Sequence, residues 1–204
     1  MGDINEDGIP DAALIAGFSL RYVHVLLGSG DGTFSEVSNF IVSNVAPRVA
    51  LLDLTGDGHL DIGVQANFIE NFGFDVHLGN GDGTFGNTVV SPEPGPVVNH
   101  VAFGDFNGDG VLDMAVLLET GQVYVYRGFG NGGFAAPNVQ QVGSSGEGLA
   151  LVDIDGDSRL DIVVANFGDL SDPDQGAMAS MLNHTDGPDE PFTDLGFSLS
   201  GATG

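Results

Sequence analysis

The sequence predicts an all-β fold, a β-propeller of four four-stranded blades, on three observations. A nine-residue acidic loop occurs four times, as DINEDGIPD, DLTGDGHLD, DFNGDGVLD and DIDGDSRLD, starting at Asp3, Asp53, Asp105 and Asp153. A second element follows each of the first three loops: GSGDGTF (28–34), GNGDGTF (79–85) and GFGNGGF (128–134). The segments between are short, rich in β-branched and aromatic residues, and bounded by Gly, Asp and Asn, which is the pattern of strands and not of helices. Steps of 50, 52 and 48 residues between loops fit one structural unit repeated four times.

Each unit reads in order as strand, acidic loop, strand, connection, strand, Gly-rich turn, strand. The strand before a loop is RVALLD (48–53), HVAFGD (100–105) or LALVDID (149–155). The one after it lies in AALIAGF, DIGVQANF, DMAVLLE or DIVVANF, and the third in YVHVLLG, FDVHLG, QVYVYRG or the weaker AMASMLN. Four strands recurring about every 40–50 residues mark a propeller blade. The expected repeats are 1–47, 48–99, 100–148 and 149–204, forming a single propeller domain or segment. In the fourth, the turn has decayed to NHTDGPDEPF (183–192). Only Met1 and Gly2 precede Asp3, so the first blade lacks its inner strand, and the chain reads as a processed, trimmed or recombinant form. Residues near 197–204, another chain or further sequence would supply that strand, since a bare edge invites pairing. The Phe closing each turn (Phe34, Phe85, Phe134, Phe192) is expected to pack between blades.

The loops have the composition of a hard-cation cage. In the third, Asp105, Asn107 and Asp109 offer side-chain oxygens at positions 1, 3 and 5, Val111 a backbone carbonyl at position 7, and Asp113 closes the cage. Gly110 at position 6 permits the sharp turn. The same positions are Asp3, Asn5, Asp7, Ile9 and Asp11 in the first loop and Asp53, Thr55, Asp57, His59 and Asp61 in the second. In the fourth they are Asp153, Asp155, Asp157, Arg159 and Asp161, with Ser158 at position 6. Oxygen-only ligands favour Ca²⁺ over zinc or copper, and an all-protein cage disfavours Mg²⁺. About four calcium ions, one per loop, are expected. An EF-hand is excluded, because position 12 holds Leu14, Val64, Val116 and Val164 where that motif needs Glu. By ligand charge the Thr55 site is the softest. In the fourth loop an extra carboxylate opposes any backbone strain at Ser158.

Composition narrows the partners. With 29 acidic against 4 basic residues and a net charge of −25, the chain has little to neutralise phosphates, which argues against nucleic acid and anionic membranes. A hydrophobic content of 42% with 14 Phe argues for a packed core despite the acidity. No Cys is present, so disulfides and thiolate metal sites are excluded. No apolar run approaches the roughly 18 residues of a membrane-spanning helix, so membrane insertion is not expected.

With loops, strands and Gly-Asp-Gly-Thr-Phe turns in place, the chain resembles the FG-GAP/VCBS repeat family, which builds the integrin α-chain propeller and many secreted bacterial propellers. The resemblance implies a calcium-stapled propeller acting outside the cell in adhesion or in binding a protein or glycan, with no catalysis of its own. Family propellers commonly carry seven blades, and this chain has four repeats. Two alternatives stand beside that reading. One is a protomer of an extracellular fibre or layer that pairs with copies of itself by strand complementation. The other is an accessory domain of a secreted carbohydrate-active enzyme. The five His (24, 59, 77, 100 and 184) form no nucleophile–base motif, and His24 and His77 are read as corresponding positions of the third strand. The connections 67–75, 91–100 and 166–176 are the expected recognition loops, with Phe68, Phe72 and Phe74 as a candidate contact patch. Asn183-His184-Thr185 matches a glycosylation triplet.

Overall fold

The computed structural model describes residues 1–17, 21–42, 48–67, 72–90, 97–143, 145–166, 177–183 and 196–198. Among them the chain is all-β, with four antiparallel sheets and no helix. The first sheet has three strands, β1 (Ala12–Ala16), β2 (Arg21–Gly28) and β3 (Phe34–Val42). The second has four, β4 (Val49–Leu52), β5 (Asp61–Asn67), β6 (Phe72–Gly79) and β7 (Phe85–Val90). The third contains β8 (Val98–Gly104), β9 (Asp113–Leu118), β10 (Gln122–Tyr126) and β11 (Asn138–Gln141). The fourth contains β12 (Gly146–Val152), β13 (Asp161–Asn166), β14 (Ala177–Leu182) and β15 (Gly196–Ser198). In every sheet the strands lie side by side in chain order. Each of the first three acidic loops therefore shares a sheet end with the Gly-rich turn of its own repeat.

The alternation of side chains explains which face is buried. In β2, Val23 and Val25 are fully buried while the alternating Tyr22 and His24 are half-exposed. By contrast β9, DMAVLL, is buried along its whole length, as a continuous apolar run allows. The inner strand missing from the first sheet is reduced to one bridge, in which Gly2 and Asp11 exchange both backbone hydrogen bonds (3.2 and 2.7 Å).

The chain divides into two compact units, Met1–Gly95 with Phe129–Gly133, and Pro96–Gly128 with Phe134–Gly204. The core of the first unit joins Ile4, Val23, Val25 and Val42 to Ile62 and Val64, with Phe40, Leu51 and Phe85 packed against it. The core of the second joins Phe106, Leu117 and Val125 to Leu149, Ile162 and Val164. In both, one sheet supplies one wall and the next sheet the other.

Several expectations are corrected. Residues 196–198 do not complete the first sheet; they pair with β14, Ser180 opposite Ser198, because the insertion after Asn183 delays the last strand of that repeat. Residues 199–204 lie outside the described residues. Phe134 is buried and Phe85 packs on the first unit's core, but Phe34 is 43% exposed, since among the described residues of its unit no sheet lies against its side of β3. Phe192 lies outside the described residues. Phe74 is buried against Gly63 and offers no contact surface; Phe68 and the side chain of Phe72 lie outside the described residues, as do most of the expected recognition loops. His24 pairs with Leu14 and His77 with Ile62, so the two His share a face but stand two residues apart in register. Among the described residues no helix is long and apolar enough to cross a membrane.

Candidate metal centres

Each acidic loop is organised by backbone N–H groups folded round three of its carboxylates. The position-1 carboxylate takes at least two of them. Oδ1 of Asp53, Asp105 and Asp153 accepts from the N–H of Gly56, Gly108 and Gly156, each at 2.7 Å. Oδ2 accepts from position 6: Gly8 at 2.8 Å in the first loop, and Gly58, Gly110 and Ser158 at 2.9 Å in the others. The position-5 carboxylates Asp7, Asp57, Asp109 and Asp157 accept the N–H of Ile9, His59, Val111 and Arg159 at 2.8–2.9 Å. That N–H, from His59, is the main cause holding Asp57 below its usual range.

These contacts need left-handed backbone at positions 4 and 6, which Gly adopts freely. Position 6 has φ of 82°, 92° and 82° at Gly8, Gly58 and Gly110, and 71° at Ser158. Position 4 is left-handed as well, and there the first loop carries Glu6 at φ 60°, a second strained residue that the sequence reading missed. A side chain costs about 1–2 kcal/mol in that region. Ser158→Gly keeps the N–H to Asp153 and is expected to raise stability by up to about 1 kcal/mol, after the greater entropy of Gly in the unfolded chain is counted. Urea denaturation of the two proteins side by side checks this.

The position-9 carboxylates behave differently from the rest. Asp11, Asp61, Asp113 and Asp161 are all 0% exposed. In each, Oδ2 accepts the N–H of position 2, from Ile4, Leu54 and Ile154 at 2.8 Å and Phe106 at 3.0 Å. Oδ1 accepts an N–H from the end of β2, β6, β10 or β14, the strand paired to the one that the Asp begins or precedes: Gly28, Gly79 and Gly128 at 2.8 Å, Asn183 at 2.7 Å. This residue pins the loop to the Gly-rich turn. Burial is the main cause pushing Asp113 up to about 6 and Asp61 upward, against the backbone donors that lower both.

The pin also explains the first Gly of each turn. A Cβ at Gly28, Gly79 or Gly128 would overlap the carbonyl oxygen of Pro10, Leu60 or Leu112 respectively. In the fourth repeat that place is taken by Asn183, which donates its Nδ2 to the carbonyls of Leu160 and Phe106. Asn183 is 1% exposed. Its amide nitrogen is committed inside the fold and is not an accessible acceptor for a sugar.

The residues fit a hard cation. In the fourth loop Asp153, Asp155 and Asp161 bring one oxygen each within 4.8 Å of one another. Two oxygens on one Ca²⁺, each at about 2.3–2.6 Å, lie no more than about 5 Å apart, so these three match one ion. In the other loops position 3 is the neutral oxygen donor Asn5, Thr55 or Asn107, and Asn5 and Asn107 turn their amide nitrogens to Asp7 and Asp109, both at 2.9 Å. Thr55 lies near Asp53, at 3.4 Å. Arg159 contributes more than a backbone position, since its guanidinium pairs with Asp157. The ring of His59 pairs with Glu6 across the first two loops, and that contact holds the imidazole above its usual pKa.

Comparison with known proteins agrees with the repeat. No curated protein sequence matches the chain. Among solved structures, the Photorhabdus luminescens Tc holotoxin pore aligns over 83% of this chain at 15% identity, with a TM-score of 0.46. The aligned part is 9% of that much longer chain. The family model described as FG-GAP-like repeat matches residues 3–64 and 71–116, more than half of the chain and the first three acidic loops entire. The chain belongs to the FG-GAP-like repeat family.

Proposed function

We propose that the chain is a calcium-binding β-propeller segment that works outside the cell, binding a protein or glycan ligand without catalysis of its own. The observation that carries this reading is the fourfold acidic loop, with three carboxylates of the fourth converging within the span of one Ca²⁺. Four successive antiparallel sheets in chain order support the propeller. Loops of this kind hold calcium at the weak end of its range, which suits the millimolar calcium outside cells. In this reading Asp3, Asp53, Asp105 and Asp153, with the residues at positions 3, 5, 7 and 9, hold one ion per loop. The ion neutralises clustered carboxylates and stabilises the folded form by mass action.

Asp109 tests the reading because it is exposed, so its loss removes a ligand without opening the core. Asp109→Ala is expected to lower stability in millimolar calcium by roughly 0.5–1.5 kcal/mol, the contribution of one weak site at one to ten times its Kd. In chelator the same substitution is expected to change little. Melting curves of both proteins in both buffers make the comparison, and equal losses in the two buffers would refute the metal role.

A further inference from the structure

The strained residue of the first loop, Glu6, reaches into the second loop. It stands at φ 60°, in left-handed backbone, where the other three loops carry Gly56, Gly108 and Gly156. A side chain is strained in that region, and such strain persists only where the surrounding structure holds it. The Glu6 carboxylate pairs with the ring of His59, 53 residues along the chain. Both loops belong to the same compact unit. Each partner sits among the proposed ligands of its own loop. Glu6 lies between Asn5 and Asp7, while His59 occupies position 7 and donates its N–H to Asp57 at 2.9 Å. The turn of the second repeat closes round the pair. A Cβ on Gly81 would overlap both the His59 ring and the Glu6 carboxylate, and Gly83 comes up to the side chains of Asn5 and Leu27. Asp61 pins that turn to the second loop by accepting the N–H of Gly79 at 2.8 Å. The first loop therefore meets the second by two routes, the Glu6–His59 pair and the turn 79–85. The loops of the other unit are built differently. Position 4 of the third is Gly108, and in the fourth the Arg159 guanidinium pairs with Asp157 of its own loop.

We infer that calcium binding in the first loop strengthens calcium binding in the second, and the reverse, through the Glu6–His59 contact. The inference rests on reading the loops as calcium sites. An ion in the first loop fixes Asn5 and Asp7, and with them the backbone that carries Glu6. Glu6 then holds His59, whose carbonyl is the position-7 ligand of the second loop and whose N–H orients Asp57. Ordering done by the first ion is not required again for the second, which is positive cooperativity between distinct sites. Such coupling is reciprocal by linkage, so either loop can lead. The pair is solvent-exposed, with side chains 36% and 51% accessible, which limits the coupling to about two- to five-fold in affinity.

The test is calorimetric titration of calcium into the full chain carrying Asp109→Ala and Asp157→Ala, which silences the third and fourth loops. Adding Asp7→Ala or Asp57→Ala gives the two one-site proteins. The overall binding constant of the two-site protein is expected to exceed the product of the one-site constants by about two- to five-fold. With Glu6→Gly, or with His59→Val, built into all three proteins, that ratio is expected to fall to one. Both replacements are residues that other loops carry at the same position, Gly56 and Val111, and either variant suffices if the other fails to fold. Loss of charge alone would weaken calcium binding in Glu6→Gly and strengthen it in His59→Val, so loss of the ratio in both separates coupling from local charge. A ratio of one in the two-site protein overturns the inference and leaves the metal reading standing. A ratio that survives both substitutions does the same. No binding heat in any of the proteins sinks the metal reading and the inference with it.

Discussion

Replacing Asp113 by alanine is expected to destabilise the protein by roughly 2–6 kcal/mol even in chelator, because two buried donors lose their acceptor at about 1–3 kcal/mol each, and by more in calcium, where a ligand is lost as well. Those donors are the N–H groups of Phe106 at 3.0 Å and Gly128 at 2.8 Å, around a carboxylate with no exposure to solvent. Asp113→Asn keeps one acceptor and turns an N–H donor toward the other backbone N–H, so an intermediate loss is expected. The contrast with Asp109→Ala separates two jobs that one residue type performs in the same loop. Denaturant midpoints of the three variants in both buffers make the measurement. A loss at Asp113 confined to calcium would mean that it acts as a ligand only.

The second large effect is a reversal of pH dependence by calcium. In chelator, stability attributable to the buried pins is expected to rise as pH falls from 7 toward 5. Burial raises Asp113 to about 6 from an ordinary value of 3.8, and raises Asp61 in the same direction. The folded chain then takes up protons that the unfolded chain does not, and stability increases with proton binding in that window. The contribution is fully present below the unfolded value of 3.8 and is lost as pH rises through about 6. Asp31 and Asp82, lowered chiefly by hydrogen bonds from Thr33 and Thr84, lose their contribution only below 3.8 and leave the window untouched. His77, lowered by burial, acts the opposite way just below 6.5, so the slope due to the pin is the part that Asp113→Asn removes. In calcium the protons compete with the metal for the same carboxylates, and stability is expected to fall over the same range. Unfolding curves at several pH values, with and without calcium, decide this; slopes of the same sign in both buffers would contradict it.

The strands and loops were legible because both signals are local. An alternating or continuous apolar run bounded by Gly and Asp says strand, and carboxylates at positions 1, 5 and 9, with an oxygen-bearing residue at position 3, say loop. What the sequence hid was relational. Asp at position 9 looks like its neighbours at positions 1 and 5, and nothing adjacent shows that its partners are N–H groups seven residues back and 15–22 residues on. The one trace is the Gly that opens each turn, whose need is set by a carbonyl from the preceding loop. Asn183 carries the same relation in a different residue, which is why it read as a sugar acceptor. Glu6 reads as one more acid, yet it occupies a left-handed position that Gly fills in the other three loops. Phe34 was expected inside as one of the Phe that close the turns; whether a repeat's outer face is covered depends on what lies beside it. The His24 and His77 assignment failed because the two strands end on the same Gly but carry His at different distances from it, His24 four residues before Gly28 and His77 two before Gly79.

The central claim is that the four loops hold calcium. Calorimetric titration of calcium into chelator-treated, desalted protein near neutral pH tests it most directly. The account requires binding of about four ions per chain, in the weak range expected of extracellular modules, with a melting temperature that climbs as the sites fill. Absence of binding heat, together with melting that is identical in millimolar calcium and in chelator, would contradict it.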